Sequence, residues 1–186
     1  MCTVGGYAAI AAAGLGCASV TAFDICPNAV RCSRDNALDA GVEVDVREGS
    51  WTRAFDCARF EVVVSNPPYV PAPPVDDAAV IPCDAAPSWA WDAGADGRMV
   101  LDPLCESAAK LLCESGTLLL VQSAFAGVRQ SLDSLRASGL DAGVVASQRI
   151  PFGPVLSARA KWLEDNGLLQ HECREEELVV IRADKQ

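Results

Sequence analysis

The sequence contains a single histidine, His171, among its 186 residues. This scarcity argues against histidine-based catalytic triads and against metal sites built from several histidines. Basic residues are also few, because 15 lysines and arginines stand against 25 acidic residues and leave a net charge of -10. Proteins whose main partner is a nucleic acid usually present a basic face. The charge therefore argues against nucleic acid as the main partner.

Long apolar runs and a basic N-terminal region are missing as well. No stretch approaches the ~18 apolar residues that a membrane-spanning helix needs. The first basic residue is Arg31, so the apolar start lacks the positive region of a secretory signal. Although there are nine cysteines, no two have CxxC spacing, which gives poor support to a zinc site or a disulfide framework. We expect a cytoplasmic protein with buried, reduced thiols (Cys17, Cys105 and Cys113 among them) and without a metal.

Apolar residues make up 51% of the chain, enough for a sizeable core in one domain over residues 1–186. Predicted helices and strands alternate, which is typical of an α/β fold with a doubly wound, mostly parallel sheet. A late antiparallel strand is expected at the sheet edge. The predicted strands are 18–23, 42–46, 60–65, 117–122, 142–148 and 177–181, and the predicted helices are 8–15, 28–40, 99–113, 128–137 and 156–165.

The most informative stretch is the β-branched run 62–64 and the loop that follows it. The run predicts a buried central strand, and the sequence Asn66-Pro67-Pro68-Tyr69 ends it because proline cannot continue a sheet. In open α/β sheets, ligands bind at the carboxyl ends of the strands. The Asn66 side-chain oxygen and the Pro67 carbonyl could hold a planar amino group, on which Tyr69 could stack. A purely structural turn is the alternative interpretation.

Two further places could contact a nucleoside. The turn Gly5-Gly6 precedes the first predicted helix, and Asp24 ends the next strand, where a carboxylate can bind ribose hydroxyls. Ser50 and Trp51 follow the predicted strand 42–46, and the Trp51 indole could flank an adenine. For the glycine turn and for Trp51, ordinary packing is the alternative.

Together these three places resemble class I S-adenosylmethionine-dependent methyltransferases. The segments 92–98, 116–121 and 148–154 extend the likeness to the HemK-like protein glutamine methyltransferases, which modify peptide-chain release factors. The likeness covers nearly the whole chain and is closest to short forms without an extra N-terminal domain. It implies a Rossmann-like fold, S-adenosylmethionine as the cofactor and a protein, expected to be a release factor, as the substrate.

The resemblance also implies roles for individual residues. In that family the Asn and the backbone of the loop hold the glutamine side-chain amide. By position, the catalytic residues become Asn66, Pro67, Pro68 and Tyr69. The residues implied to bind the cofactor are Thr3, Gly5, Gly6, Asp24, Ser50, Trp51 and Asn66.

The chain departs from the family pattern near its start. Val4 stands where the first glycine of the turn belongs, and Ser50 stands where the family often has an acidic residue. The first, central strand of the sheet is not in the sequence, so we expect an N-terminally truncated domain that binds cofactor poorly. Whether a partner subunit covers that strand position stays open.

Two other functions remain open at this point. The same loop could hold a flipped adenine for N6-methylation, which the acidic charge disfavours. A non-catalytic remnant of the fold is the other possibility, favoured by Val4 and the absent strand. Residues 71–91 are expected to form a long ordered loop or lid. The acidic run of Glu172, Glu175, Glu176 and Glu177 is expected to be mostly a solvated face.

Overall fold

A computed structural model describes residues 5–74 and 87–186. The chain divides into two compact units, Met1–Phe60 and Glu61–Gln186, and each is described by itself. Within the described ranges, no helix is both long and apolar enough to cross a membrane.

Some expectations fall outside the described residues. Thr3 and Val4 of the first turn are among them, and so is the middle of the predicted 71–91 loop. Within the described part of that loop, Ser88–Ala90 forms a 3-10 helix.

The first unit is a β-α-β arrangement preceded by a short helix. Its elements are α1 (Tyr7–Gly14), β1 (Thr21–Asp24), α2 (Pro27–Asp39), β2 (Asp45–Glu48) and a 3-10 helix (Trp51–Asp56). Strands β1 and β2 pair in parallel, with Ala22 opposite Val46. Both side chains are buried against Val30 of α2, so the amphipathic helix covers this strand pair. Pro27 lies in the first turn of α2, where its missing N–H costs no hydrogen bond.

The second unit contains a four-stranded sheet and three helices. Its elements are β3 (Phe60–Ser65), α3 (Leu101–Leu111), β4 (Leu112–Ser123), α4 (Val128–Ala137), β5 (Leu140–Pro151), α5 (Pro154–Asp165) and β6 (Glu175–Lys185). The strand order is β3-β4-β6-β5, and β6 runs antiparallel to both of its neighbours. The antiparallel strand expected at the edge therefore lies inside the sheet. Its apolar residues Val179, Ile181 and Ala183 are almost fully buried, which agrees with a strand flanked on both sides.

The core of the second unit is built mainly from leucines. Leu101 and Leu104 of α3 are fully buried, as their helical spacing predicts. On β4, Leu118 and Leu120 alternate inward and are also buried. Each such side chain stabilises the fold by roughly 1.5–3 kcal/mol relative to an exposed one. Strand β4 begins earlier than predicted because the chain passes directly from Leu111 into extended backbone.

Two expectations about burial are wrong in part. The bounds of β3 are as predicted, but Val62 is 53% exposed and Val64 is only half-buried. Among the described residues β3 is the outermost strand of its sheet, so fewer neighbouring side chains cover it. Among the described cysteines, all of which are free thiols, Cys105 is buried whereas Cys17 is exposed.

Candidate active site

The glycine turn at the start of α1 is fixed to α2. Gly5 and Gly6 have φ angles of 82° and 75°, in the left-handed region that favours glycine. A Cβ on Gly6 would lie 3.1 Å from the Cβ of Ser33, and the Asn36 side chain donates to the Gly5 carbonyl at 2.8 Å. Close packing against α2 therefore accounts for a glycine at position 6.

Asp24 lies at the carboxyl end of β1 and is only 2% exposed. Its Oδ1 accepts a hydrogen bond from the Cys26 N–H at 2.9 Å. Its main-chain carbonyl accepts from the Gly49 N–H at 2.8 Å. These bonds fix the carboxyl group and hold the ends of β1 and β2 side by side, so that Ser50 follows directly at the same edge.

Ser50 and Trp51 begin a 3-10 helix and not an open loop. The Ser50 Oγ accepts from the Thr52 N–H at 3.4 Å and so caps this helix. Trp51 is half-buried, and its ring meets Phe55 edge-on with centroids 5.7 Å apart. A carboxylate that can accept from hydroxyl groups and an indole that can flank a purine are the groups that bind a nucleoside. The residues of this edge therefore fit the adenosine part of S-adenosylmethionine.

The Asn66–Tyr69 loop belongs to the second unit. Asn66 is exposed, Pro67 and Pro68 are buried, and Tyr69 is half-buried. All four line a cavity of about 190 Å³, together with Val70, Ala90, Trp91, Glu176 and the first turn of α5, residues 153–156. A space of this size admits a small planar group such as a side-chain amide.

The segment that follows the 3-10 helix 88–90 supports this loop. The Val70 N–H donates to the Trp91 carbonyl at 2.9 Å, and the Ala93 N–H donates to the Val70 carbonyl at 3.0 Å. Gly97 has a φ of 76°, and a Cβ there would collide with the Tyr69 carbonyl oxygen. The backbone after Tyr69 is therefore paired on one side and closely packed on the other.

Arg159 of α5 connects the chain that follows Tyr69 with the segment around Trp91. It is 5% exposed, forms an ion pair with Asp92 at 2.6 Å and donates to the Pro71 carbonyl at 2.8 Å. Its guanidinium also lies 4.5 Å from the centre of the Trp91 ring. One buried cation thus fixes residues on both chain segments beside the loop.

Arg98 is the second buried cation. It donates to Asp102 Oδ1 at 2.6 and 2.9 Å and to Ser131 Oγ at 2.8 Å. It also donates to the carbonyl oxygens of Ala126 and Gly127. This network anchors the end of the 92–98 segment to α3 and α4.

A buried carboxyl group was not predicted in this pocket. Glu176 is only 7% exposed and is an exception to the mostly solvated face that was expected, whereas Glu172 and Glu175 are exposed as expected. Burial raises the pKa of Glu176, and the Ser123 hydroxyl, which lies close without reaching hydrogen-bond geometry, offsets part of this rise. Burial, and then the charge of Glu176, raise the pKa of Tyr69 to about 12. The Tyr69 hydroxyl therefore stays protonated at neutral pH.

No simple sequence signal identifies Glu176 as the inward residue. Counting back by twos from the buried Ile181 and Val179 leads to Glu177 and not to Glu176. The inward position of Glu176 depends on the packing where β6 begins.

The chain is similar to known methyltransferases. A family model described as "Methyltransferase small domain" matches residues 1–80. A protein from Methanocaldococcus jannaschii, named as a protein N5-glutamine methyltransferase, is 27% identical over 83% of this chain and 76% of its own length. A release factor glutamine methyltransferase from Deinococcus radiodurans is 40% identical over 55% of this chain but only 36% of its own length.

The solved structures support the fold. A precorrin-6y C5,15-methyltransferase from Geobacter metallireducens matches 100% of this chain and 78% of its own, with a TM-score of 0.61 and 13% sequence identity. At that identity the likeness shows the fold alone. With the relatives, it confirms a Rossmann-like α/β fold and the resemblance to HemK-like glutamine methyltransferases. The chain is accordingly similar to S-adenosylmethionine-dependent methyltransferases, and its relatives include proteins named as glutamine methyltransferases.

Proposed function

We propose that this chain methylates the side-chain amide nitrogen of a glutamine in a protein, with a peptide-chain release factor as the substrate. The single observation that carries the proposal is the Asn66–Tyr69 loop and the small cavity of about 190 Å³ that it lines. The names of the relatives from M. jannaschii and D. radiodurans support glutamine as the acceptor. S-adenosylmethionine supplies, when bound, an electrophilic methyl group.

The loop residues activate the amide nitrogen, which is a poor nucleophile. The lone pair of an amide nitrogen is delocalised, so the nitrogen attacks only when it is held in line and when positive charge on it is stabilised. The side-chain oxygen of Asn66 and the carbonyl of Pro67 accept its N–H groups and serve both purposes. Tyr69 stacks on the amide plane. Pro67 and Pro68 restrict the backbone, so little freedom is lost on binding.

Residues of the first unit bind the cofactor in this proposal. Asp24 accepts from the ribose hydroxyls, and Trp51, beside Ser50, flanks the adenine. The main chain at Gly5 and Gly6 contacts the cofactor in this proposal, in a left-handed turn that glycine permits. Asn66 contributes to cofactor binding as well as to the amide. In this direct transfer the amide nitrogen would bond to the methyl carbon as its bond to sulfur breaks, S-adenosylhomocysteine would leave, and one amide proton would pass to water. These roles need neither a metal nor a covalent enzyme intermediate.

The test is a methyl-transfer assay with radiolabelled S-adenosylmethionine and purified release factor, followed by mass spectrometry to locate the label. We expect the label on a glutamine. Asn66→Ala should lower kcat/KM at least about 100-fold, because it removes an acceptor from the reacting nitrogen. The matched control is Asn166→Ala, on an exposed residue at the end of α5, which should leave kcat/KM unchanged.

The second candidate, methylation of the adenine amino group, uses the same loop chemistry. The net charge of -10 disfavours it, because phosphate backbones repel an acidic surface. The same assay with DNA and RNA separates the two functions. Label in adenine and none in protein would refute the glutamine assignment.

A further inference from the structure

The cavity beside the Asn66–Tyr69 loop contains a carboxyl group with no role in the mechanism proposed above. Glu176 lies near the start of β6, opposite Ile150 of β5, and lines the cavity. It is 7% exposed, and among the residues that the structure describes its Oε2 has no hydrogen-bond partner in good geometry, although the hydroxyl of Ser123, which is also unpaired, lies close. Buried polar atoms are rarely left unpaired, and an unpaired carboxylate oxygen is above all an acceptor for an N–H group. This atom is therefore suited to a donor that arrives with a ligand.

Hydrogen-bond donors are present in the same cavity. The first turn of α5 lines it, and the N–H groups of Val155 and Leu156 have no acceptor within the helix, as in any first turn. A primary amide has N–H donors on one side and a carbonyl acceptor on the other. The lining residues thus include both kinds of partner that an amide needs, an acceptor on Glu176 and the N–H donors of the first turn of α5.

A carboxylate of the same shape could accept from the first-turn N–H groups of α5 with one oxygen, but its other oxygen would face the acceptors of the loop and of Glu176. The side-chain oxygen of Asn66, the carbonyl of Pro67 and Oε2 of Glu176 are all acceptors, and among the lining residues Glu176 is the charged one. A glutamate side chain has no N–H to donate. It would also place a second negative charge beside the buried carboxyl group of Glu176.

We infer that Glu176 is a specificity-determining residue that selects glutamine and excludes glutamate. Its Oε2 accepts an amide N–H, which it shares with another acceptor of the pocket, and its charge repels a glutamate carboxylate. The inference rests on the proposed function, since it names the discrimination that the same site makes.

The experiment compares two synthetic peptides that differ only by glutamine or glutamate at one position. The glutamine peptide is assayed for KM and kcat, and the glutamate peptide for its inhibition constant. The variants are Glu176→Gln, Glu176→Leu and the matched control Glu175→Gln, which removes one charge from the exposed neighbour on the same strand. S-adenosylmethionine affinity and melting temperature are measured for each variant, to show that it is folded.

We expect Glu176→Gln to lower the ratio of the glutamate-peptide inhibition constant to the glutamine-peptide KM at least about 10-fold. We expect Glu176→Leu to raise KM for the glutamine peptide about 10-fold, with kcat changed less and cofactor affinity retained. Glu175→Gln should leave both measurements at wild-type values. A mere packing role would leave the ratio of the two peptides unchanged.

The possible failures are distinguishable. If the wild-type chain methylates the glutamine peptide but the ratio is the same in Glu176→Gln and Glu175→Gln, the inference about Glu176 is overturned and the proposed function stands. If the wild-type chain transfers no methyl group to glutamine, the proposed function fails and the inference fails with it. Because Glu176→Gln preserves the size of the side chain, it still decides the matter if the leucine variant does not fold.

Discussion

Replacing Arg98 tests whether the 92–98 segment is anchored by its buried guanidinium. Arg98 is 3% exposed, and its partners are Asp102, Ser131 Oγ and two main-chain carbonyls. In Arg98→Ala the buried Ser131 hydroxyl and the carbonyls lose their donor, whereas Asp102, with 37% of its side chain exposed, is partly rehydrated.

The expected cost follows from this difference in exposure. Removing one partner of a buried ion pair costs about 3–5 kcal/mol, and the partial exposure of Asp102 favours the lower end. For a chain of this length each kcal/mol lowers the melting temperature by about 2–4 °C. We therefore expect Arg98→Ala to melt roughly 6–12 °C below wild type.

The assay is urea and thermal unfolding followed by circular dichroism and tryptophan fluorescence. Arg129→Ala is the matched control, because this arginine also faces an aspartate four residues later, but its side chain is 96% exposed and its nitrogen lies 3.9 Å from Asp133. It should cost less than about 0.5 kcal/mol. Equal losses in the two variants would refute the anchoring argument.

Two further predictions concern the pocket itself. Gly97→Ala should destabilise the fold by about 1–3 kcal/mol and reduce methyl transfer, because its φ is 76° and the new Cβ would displace the Tyr69 carbonyl. Gly167→Ala is the control, because Gly167 has a φ of 69° and open space around it, so this variant measures the cost of backbone strain alone. Both variants are compared by urea unfolding. An equal loss of unfolding free energy in the two would contradict the predicted collision with the Tyr69 carbonyl. The pKa of Glu176 is raised from 4.5, so the folded state binds this proton more tightly than the unfolded chain, and stability is lost as the pH rises through the raised pKa. Melting curves from pH 4 to pH 8 should accordingly show Glu176→Gln becoming more stable than wild type as the pH rises, and a constant difference would contradict the burial of a charge.

The loop could be predicted from the sequence because its cause is local. Prolines at 67 and 68 cannot continue a sheet whatever surrounds them, so the strand had to end at Ser65, and it does. Helix α4 has the predicted bounds of Val128–Ala137, because its apolar residues recur at helical spacing along an otherwise polar segment. Identifying the residue types that bind a planar amino group required no knowledge of distant contacts.

The supports of the loop could not be predicted in the same way. Arg98 was visible only as part of a family-like segment, since its partners at 126, 127 and 131 lie about thirty residues further along the chain. Glu176 lies in a run of glutamates, and strand alternation predicts that its neighbour Glu177 points inward instead. The position of β6 between β4 and β5 also follows from tertiary packing and not from a pattern within the strand.

The interior position of β6 has a consequence for biosynthesis. Strands β4 and β5 leave the ribosome first, but neither can form its hydrogen bonds with β6 until residues 175–185 have been made. During that interval both strands expose an edge that could pair with another chain. Since Glu176 lies on the same strand, its part of the pocket lining is also added last. Timely synthesis of this short segment therefore protects the nascent chain and completes the pocket in one step.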